Sequence, residues 1–375
     1  MNFFNSKTNC FFLLLNNIYS QEAVTIVCYQ VLFKNGKVMH KFIILLLVVW
    51  GISCTTTDRP RKPAASGKAG EMLVVINKEK WEGRAGEIIK DAFLAHVTML
   101  PQAEPQFNLI QIDDSNFAKL FETHRNIFFV EFDPSLERGR IEANRDVWAY
   151  PQMVIRIKVP NEDIMQRLMQ TNQEAFIEYY LETERERLIN AYSRMINHQA
   201  RNLVRQQFKL DITVPEGYFV AKQDADFVWL RQTGTREDLD LGMLITVLPY
   251  TDPQKDFDTQ TIWARRDSIT RLHIPGSFPN TYMTTYPDIP PVFNEINFNE
   301  RYAVEGRGLW RVEGDFMGGP FVNITFVDEK SNRLIILDGF VYAPKFDKRD
   351  YLRQVEALMH SVEPWTESEN EEKEV

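Results

Sequence analysis

Residues 301–313 read RYAVEGRGLWRVE, and this stretch decides the fold of the second half of the chain. Its even positions are mostly apolar and its odd positions mostly charged: Tyr302, Val304, Trp310 and Val312 against Arg301, Glu305, Arg307, Arg311 and Glu313. This period of two predicts a β-strand with one buried and one wet face. Turn residues at 318–320 and 328–332 then lead into apolar runs at Phe321–Val327 and Arg333–Tyr342. An antiparallel meander of three strands is therefore expected.

Elements on either side of the meander extend and cover the same sheet. Further strands are predicted at Leu210–Tyr218, Phe227–Gln232 and Leu241–Leu248. Apolar residues at helical spacing predict helices at Thr259–Leu272 and Asp347–Ser361. Together these elements predict an α/β/α sandwich-like domain over residues 209–364.

Residues 71–160 alternate short strands with helices. Strands are predicted at Met72–Ile76, Phe107–Ile112, Ile127–Phe132 and Asp146–Val159, the last with Pro151 at a sheet edge or bulge. Helices are predicted at Gly86–His96 and Ser115–Phe121, with Ser115 as the N-cap. This alternation predicts an N-terminal α/β domain.

A long periodic segment, residues 161–208, connects the two regions. It predicts one helix of roughly 70 Å if continuous, or two helices if Gln170–Gln173 marks a break. Its charged run Glu182–Arg187 is expected to be a solvated face, although part of the helix could meet a partner. The expected fold class is α+β: two mixed or antiparallel sheet domains with packed helices, joined by a long helix.

From Leu210 onward, the order of elements resembles the α/β/α sandwich of the photosystem extrinsic P-subunit type. The matching features are an apolar strand leading into Pro215-x-Gly217-Tyr218, paired strands, a helix, a meander and a last helix that ends near His360. Members of that fold class commonly bind or scaffold proteins, and the fold implies no catalysis. The chain also resembles an uncharacterised family of Gram-negative lipoproteins with a domain-of-unknown-function label. That resemblance implies location and architecture and transfers no functional residue.

The stretch Met39–Cys54, MHKFIILLLVVWGISC, predicts the compartment. A basic start, an apolar run too short to span a membrane and small residues before a cysteine resemble the lipobox of bacterial lipoproteins. Gly51 stands where that pattern prefers Leu. We expect translation to start at Met39 and Cys54 to be acylated, so that the lipid anchors the protein at the periplasmic face of the inner or outer membrane.

The resulting organisation has four further segments around the two domains and the helix. They are a gene-model extension (1–38), a signal peptide (39–53), the lipidated Cys54 with a flexible tether (54–70) and an acidic disordered tail (365–375). Removal of residues 1–53, which carry four Lys and one Glu, changes the net charge from −9 to −12. That charge argues against nucleic acid as a partner.

The sequence contains no pattern typical of a catalytic, metal or cofactor site. Cys10 and Cys28 precede the cleavage site, so the mature chain has no free thiol once Cys54 is acylated. Five histidines are scattered and expected at surfaces or helix ends: His96, His124, His198, His273 and His360. Three acidic residues are better explained by a helix N-terminus than by calcium: Asp252, Asp256 and Asp258.

The segment Pro275–Phe298 is the candidate binding site. It interleaves five prolines with aromatic residues and lacks evident secondary structure, and such long loops are often functional. The aromatic residues proposed to bind a partner are Phe278, Tyr282, Tyr286 and Phe293. The alternative is that these rings tuck under the loop and cap the sheet.

These observations favour a non-enzymatic binding or assembly module, anchored in the cell envelope and recognising another envelope protein. One alternative is an envelope hydrolase acting on cell-wall or glycan material with Asp113, Asp114 and Asp133 as acid and base. A third reading is a carrier of a small apolar ligand between the sheet and the proline-rich loop, which would show as an apolar cavity. The sequence does not decide the oligomeric state.

Overall fold

The computed structural model describes residues 62–234 and 238–365. The strands in these ranges are β1 (Glu71–Val75), β2 (Asn108–Ile112), β3 (Asn126–Phe132), β4 (Arg140–Arg145), β5 (Met153–Val159), β6 (Leu210–Asp211), β7 (Phe219–Asp224), β8 (Phe227–Thr233), β9 (Asp240–Pro249), β10 (Tyr282–Thr285), β11 (Val292–Phe298), β12 (Arg301–Glu313), β13 (Gly318–Asp328), β14 (Arg333–Tyr342) and β15 (Glu363–Pro364). The helices are α1 (Lys78–Glu82), α2 (Arg84–Phe93), α3 (Lys119–Glu122), α4 (Glu162–Tyr192), α5 (His198–Phe208), α6 (Pro253–Asp256), α7 (Thr259–His273) and α8 (Arg349–His360). The predicted α+β class with two main sheets is confirmed, and β6 and β15 form a further two-stranded sheet.

The first sheet has the strand order β2-β1-β3-β5-β4 and is parallel except for the β4–β5 pair. Strands β1 and β3 are almost continuously apolar because a parallel sheet is covered on both faces. Helices α2 and α4 pack on one face around Phe93, Phe128 and Tyr180. Phe117 and Trp148 pack on the other face against Phe129.

The predicted single strand Asp146–Val159 is wrong, since the chain reverses within it. Asp146 has a left-handed φ of 57° and its carboxylate accepts a hydrogen bond from Gln152 N at 2.8 Å. The Gln152 side chain in turn accepts one from Trp148 N at 2.9 Å. These bonds separate β4, which the sequence did not reveal, from β5, and Pro151 lies between the two strands.

The long helix α4 runs unbroken through residues 170–173 and ends at Tyr192, at a length of about 46 Å. The expected break at Gln170–Gln173 and the expected continuous helix to Phe208 are both wrong. The chain leaves the helix because Asn197 N donates to Val214 O and Glu216 N donates to Met195 O, both at 2.8 Å. Helix α4 contacts α2 and β5 of the first sheet region and α8 of the second.

The second sheet is antiparallel, with the order β10-β12-β13-β14-β9-β8-β7, and β11 also pairs with β12. The predicted meander forms β12, β13 and β14. Of the predicted strand Leu210–Tyr218, only β6 is a strand, because Pro215 and Gly217, with a φ of 95°, turn the chain away. The next residues form β7 at the sheet edge, which was not predicted.

Helices cover both faces of the second sheet. Leu352, Val355 and Met359 of α8 pack on one face together with Phe208 of α5. On the other face, buried Arg266 of α7 donates to Asp338 of β14. The predicted wet face of β12 is therefore wrong for Glu305 and Arg307, which lie mostly covered, whereas the side chains of Arg311 and Glu313 are 37% and 47% exposed.

The chain is attached to the first sheet region before Glu71. Ala65 N donates to Tyr150 O at 3.2 Å and Ser66 N donates to Thr123 O at 2.8 Å, so the last part of the predicted tether is hydrogen-bonded. No helix in residues 62–234 and 238–365 is long and apolar enough to cross a membrane. The predicted signal peptide, Cys54, the extension 1–38 and most of the acidic tail lie outside the described residues.

Candidate functional site

A cleft of about 660 Å³, which we call the charged cleft, opens between α4, the β11–β12 hairpin and α8. Helix α4 contributes Glu178, Tyr179, Glu182, Arg185 and Leu188; the hairpin and β12 contribute Ile296, Glu300, Glu305 and Arg307; and α8 contributes Arg353, Glu356 and His360. Its volume is within the range of small-molecule and side-chain binding sites.

An ion cluster forms the base of the charged cleft. Arg307 donates to both oxygens of Glu305, at 2.7 and 2.9 Å, and its Nη1 lies 2.6 Å from Glu356 Oε1. Burial alone would lower the pKa of Arg307, but Glu356 and Glu305 raise it well above its ordinary value. The guanidinium is thus fully engaged by the protein and is not free to bind an anion.

The pKa of Glu178 is raised, although 60% of its side chain is exposed. Desolvation by the surrounding protein is the main cause of the raised pKa of Glu178, and the nearby charges of Glu182 and Glu305 raise it further. The Arg185 guanidinium, whose Nη2 is 3.5 Å away, lowers this pKa by less. His360 is kept neutral because burial, with Arg185 and Arg307, holds its pKa well below its ordinary value.

Part of the charged run Glu182–Arg187 is buried, so the prediction of a wholly solvated face is wrong. The carboxylate of Glu184 accepts from Asn126 Nδ2 at 2.7 Å and pairs with Arg187 Nη1 at 2.9 Å. Arg187 also donates to the carbonyl oxygens of Arg125 and Pro151. Glu184 and Arg187, which are three residues apart, therefore fix α4 to the first sheet, while Glu182, Glu184 and Arg185 line the charged cleft.

The segment Pro275–Phe298 is not a structureless loop, which corrects the expectation. It contains β10 and β11, which pair in succession with the same edge of β12. The prolines at 275, 279, 287, 290 and 291 lie outside both strands, where no ladder hydrogen bond is needed.

The four predicted binding aromatics of this segment occupy different surroundings. Phe278 is 60% exposed on the turn before β10, and Tyr286 is 39% exposed with the Arg311 guanidinium 5.7 Å from its ring. The Arg271 guanidinium covers the ring of Tyr282 at 4.4 Å. Phe293 packs against Gly306, where a Cβ would come within 2.7 Å of its ring. Three of the four rings are therefore packed on a neighbouring side chain or glycine.

The three carboxylates that the sequence suggested as acid and base of a hydrolase, Asp113, Asp114 and Asp133, accept hydrogen bonds from residues close to them in the sequence or at a neighbouring turn. Asp113 accepts from Ser115 and from Lys78 N, and these bonds lower its pKa. Hydrogen bonds from Ser135 likewise lower the pKa of Asp133, and Asp114 accepts from Ser115 N at 2.8 Å. A general acid needs a raised pKa, so Asp113 and Asp133 are unsuited to that role.

Three histidines lie at helix ends as expected: His198, His273 and His360. His124 differs from the expectation, because it is buried with its Nδ1 3.1 Å from Asn126 O; His273 is buried as well, at its helix end, and stacks on Phe227 at 3.8 Å. Burial lowers the pKa of both. No group of His, Cys, Asp and Glu within the described ranges could hold a metal ion.

The acidic cluster ahead of α7 has the structural role that the sequence favoured. Asp252 and Asp258 are N-caps of α6 and α7, and Asp256 pairs with Arg265 at 2.7 Å.

The charged cleft was missed because its residues are far apart in sequence. Glu305 and Arg307 looked like a solvated strand face, and their neighbour Glu356 lies on a helix that read as amphipathic. A usable signal was the Glu-x-Arg pair in a strand covered by later elements, because charges on a covered face must find partners.

Comparisons with known proteins give two regions of similarity. Residues 65–193 match a family described as a domain of unknown function (DUF8532), and residues 197–361 match another, described in the same words (DUF4837). The two regions meet where α4 ends and α5 begins. The chain therefore consists largely of domains whose function is uncharacterised. No curated protein matches it.

Solved structures show only weak similarity. They include a variant of the protein Mog1 (10% identity, TM-score 0.28, covering 43% of this chain and 93% of that one) and the Ran-binding protein Mog1p of Saccharomyces cerevisiae (9%, 0.29, 43% and 92%). Another is PA94, a protein of unknown function from Pseudomonas aeruginosa (14%, 0.25, 41% and 90%). Similarities of this size carry no argument about this chain.

Proposed function

We propose that the protein is a non-enzymatic binding module of the cell envelope, whose charged cleft receives a positively charged segment of a protein partner. The observation that carries this proposal is the excess of carboxylates in the cleft. Six carboxylates line the cleft against three guanidiniums, and two of the six pair with cations outside the lining, Glu184 with Arg187 and Glu182 with Arg145 at 3.8 Å, which leaves an excess of 6 − 3 − 2 = 1. His360 adds no charge.

The state of Arg307 supports the same ligand, because two carboxylates engage it. Arg353 is half-buried; its Nη2 donates to Gln106 O at 2.8 Å, and its Nη1 has no hydrogen-bond partner among the described residues. Burial lowers the pKa of Arg353 to about 10, so it stays protonated at neutral pH. Glu182 and Glu300 are exposed at the cleft and are accessible to an incoming Lys or Arg.

The ligand is expected to include an apolar contact beside the basic group. Tyr179 is 44% exposed, and Leu188 and Ile296 are half-buried in the lining. Such residues bury the aliphatic stem of a Lys or Arg while the carboxylates bind its charged end.

A photocrosslinking experiment in cells tests the cleft. A benzophenone amino acid replaces Tyr179 in the tagged full chain, with replacement of the similarly exposed Tyr150 as the control. We expect one discrete crosslinked partner from position 179, lost when Glu178→Gln and Glu182→Gln are added. Equal products from both positions, or none from position 179, would contradict the proposal.

The envelope anchor is tested separately with Cys54→Ala. The lipobox pattern predicts that the wild-type chain incorporates labelled fatty acid and sediments with membranes, and that the variant does neither. Labelling that persists in the variant would exclude Cys54 as the acylated residue.

A further inference from the structure

A second cavity, which we call the dipolar pocket, has a volume of about 420 Å³ and lies between helix α7 and the edge strand β10. Trp263, Asp267, Ser268 and Arg271 line it from α7, and Tyr282 and Thr284 line it from β10. Other residues line the charged cleft, so the two sites share no wall. The volume is within the range of small-molecule binding sites.

The lining carries two acidic and two basic side chains. Arg311 Nη2 donates to Glu313 Oε2 at 2.5 Å, so these two charges cancel within the wall. The other two are Asp267 and Arg271, which lie one helical turn apart on α7. An acid and a base at this spacing commonly pair on the surface of a helix. The ion pairs of the described residues do not include Asp267 with Arg271, so each keeps a charge that the other does not neutralise.

Contacts with β10 hold these two charges apart. Asp267 Oδ1 accepts hydrogen bonds from Thr285 N and Thr285 Oγ1, both at 2.7 Å. The Arg271 guanidinium lies 4.4 Å from the centre of the Tyr282 ring. Because each side chain is held by a different residue of β10, one wall of the pocket has a negative and a positive pole.

Both poles are accessible to a ligand. Asp267 Oδ2 accepts no hydrogen bond from the described residues, and the side chain is 31% exposed. Arg266 Nη1 is 3.8 Å from Asp267, but that guanidinium already binds Asp338 through Nε and Nη2. Arg271 is exposed and has no carboxylate partner in the described part of the chain. A guanidinium that stacks on a ring keeps the N–H groups of its edge available for hydrogen bonds.

The two poles together favour a zwitterion over an ion of one sign. An anion bound by Arg271 would lie near the carboxylate of Asp267, and a cation bound by Asp267 would lie near the guanidinium of Arg271. Placing like charges side by side opposes binding. A ligand with both charges meets an opposite charge at each pole.

The spacing of the poles fits an α-amino acid. Residues four apart on a helix have Cβ atoms about 5–6 Å apart, so both side chains can reach charged groups attached to one carbon atom. A guanidinium binds a carboxylate through two parallel hydrogen bonds. The hydroxyl groups of Ser268 and Thr284 also line the pocket and have no hydrogen-bond partner among the described residues. They can bind the same carboxylate or ammonium group.

The pocket also has apolar surface beside its poles. Trp263 is half-buried in the lining and Pro287 is exposed there. An aromatic ring packs well against an indole. The side chain of the ligand is therefore expected to be aromatic.

We propose that the dipolar pocket binds a free zwitterionic α-amino acid with an aromatic side chain. Arg271 binds its carboxylate, Asp267 binds its ammonium group and Trp263 packs against its ring. This site is independent of the charged cleft and of any protein partner.

Calorimetric titration of the full chain at pH 7 with three matched probes tests the site. L-phenylalanine carries both charged groups, 3-phenylpropionate lacks the ammonium group and 2-phenylethylamine lacks the carboxylate. We expect saturable binding of L-phenylalanine that is about tenfold tighter than binding of either analogue, because each analogue loses one charge-assisted interaction.

Two substitutions should change the preference among the probes in opposite ways. Arg271→Gln should weaken L-phenylalanine and 3-phenylpropionate about tenfold and change 2-phenylethylamine less than about twofold. Asp267→Asn should weaken L-phenylalanine and 2-phenylethylamine about tenfold and change 3-phenylpropionate less than about twofold. Damage to the fold would weaken all three probes alike, so the crossed pattern identifies binding roles. Arg194→Gln, at an exposed position outside the lining, is the control and should change none of them.

Absence of saturable L-phenylalanine binding to the wild-type chain at about 10 mM would overturn the proposal without reference to any variant. Equal affinity of the wild-type chain for L-phenylalanine and either analogue would also overturn it. So would equal loss of all three probes in Arg271→Gln and Asp267→Asn, or unchanged L-phenylalanine binding in either variant.

Discussion

Replacement of Arg266 by Met should destabilise the protein strongly, because it leaves a buried carboxylate without its counter-ion. The side chains of Arg266 and Asp338 are 2% and 5% exposed. Arg266 donates to Asp338 through Nε at 2.7 Å and Nη2 at 3.2 Å, and to Thr285 Oγ1 at 3.1 Å. After the substitution, Asp338 would keep only the bond from Asn323 Nδ2 at 3.1 Å.

The expected loss follows from the geometry. Removing one partner of a buried ion pair costs about 3–5 kcal/mol, because the other charge stays desolvated. Unfolding entropy of roughly 2.1 cal/mol/K per residue, over the described part of about 300 residues, amounts to about 0.6 kcal/mol/K. A loss of about 4 kcal/mol therefore lowers Tm by about 6 °C.

A double-mutant cycle measured by urea unfolding checks this reasoning. Asp338→Leu added to Arg266→Met should recover at least half of the loss, since no unpaired charge remains. Arg194→Met, at an exposed position, is the matched control and should stay within about 0.5 kcal/mol of wild type. A loss below about 1 kcal/mol for Arg266→Met would refute the inference that the pair is buried and charged.

Three further predictions concern other contacts. Partial burial raises the pKa of Asp211, but hydrogen bonds from Arg201 and Arg205 hold it well below its ordinary value. Its stabilisation is present above the unfolded-state pKa of about 3.9 and is lost as pH falls through the folded-state value. Asp211→Asn should thus lower the free energy of unfolding by about 1–3 kcal/mol at pH 7. In a plot of urea midpoint against pH, the fall at acid pH should be shallower for the variant than for the wild type. Parallel curves for the two proteins would contradict this prediction. Gly86→Ala places a Cβ 1.8 Å from Trp81 O and should cost at least about 2 kcal/mol in thermal unfolding, while Gly83→Ala, whose nearest atom is 3.4 Å away, should change little. Binding of a tetralysine peptide to the charged cleft should weaken as pH falls through the raised pKa of Glu178, since that carboxylate loses its charge. Calorimetry should show a smaller pH dependence for Glu178→Gln, and an unchanged profile would exclude Glu178 from the site.

The elements predicted well are those whose own residues carry a periodic apolar pattern. Strands β12 and β14 match their predicted ranges, because each buries apolar residues that the sequence marks. Helix α7 also matches its predicted range, but it buries Ile262, Arg266, Thr270 and His273, and Leu272 of the predicted apolar face is 72% exposed. Strand β4, RIEANR, is exposed at every position and has no such pattern. It is a strand because its backbone pairs with β5, and its own residues therefore do not indicate its secondary structure. The edge strand β7 was missed for the same reason.

The candidate sites show a different limit. Prolines made the segment 275–298 resemble a loop, although its short strands Tyr282–Thr285 and Val292–Phe298 lie between those prolines. The charged cleft depends on Arg307 meeting Glu356, a contact between residues 49 positions apart (356 − 307) that the sequence does not mark.

The pairing of two short strands, β10 and β11, with one edge of β12 affects how the protein can associate with itself. A strand of 13 residues with a free edge would be a long template for adding a strand from another molecule. Here β11 and β10 cover that edge in pieces of seven and four residues, and the prolines between them cannot donate to an incoming chain. The segment 286–298 therefore prevents the edge of β12 from pairing with another molecule in an amyloid-like stack. Its deletion should make the protein prone to fibril formation.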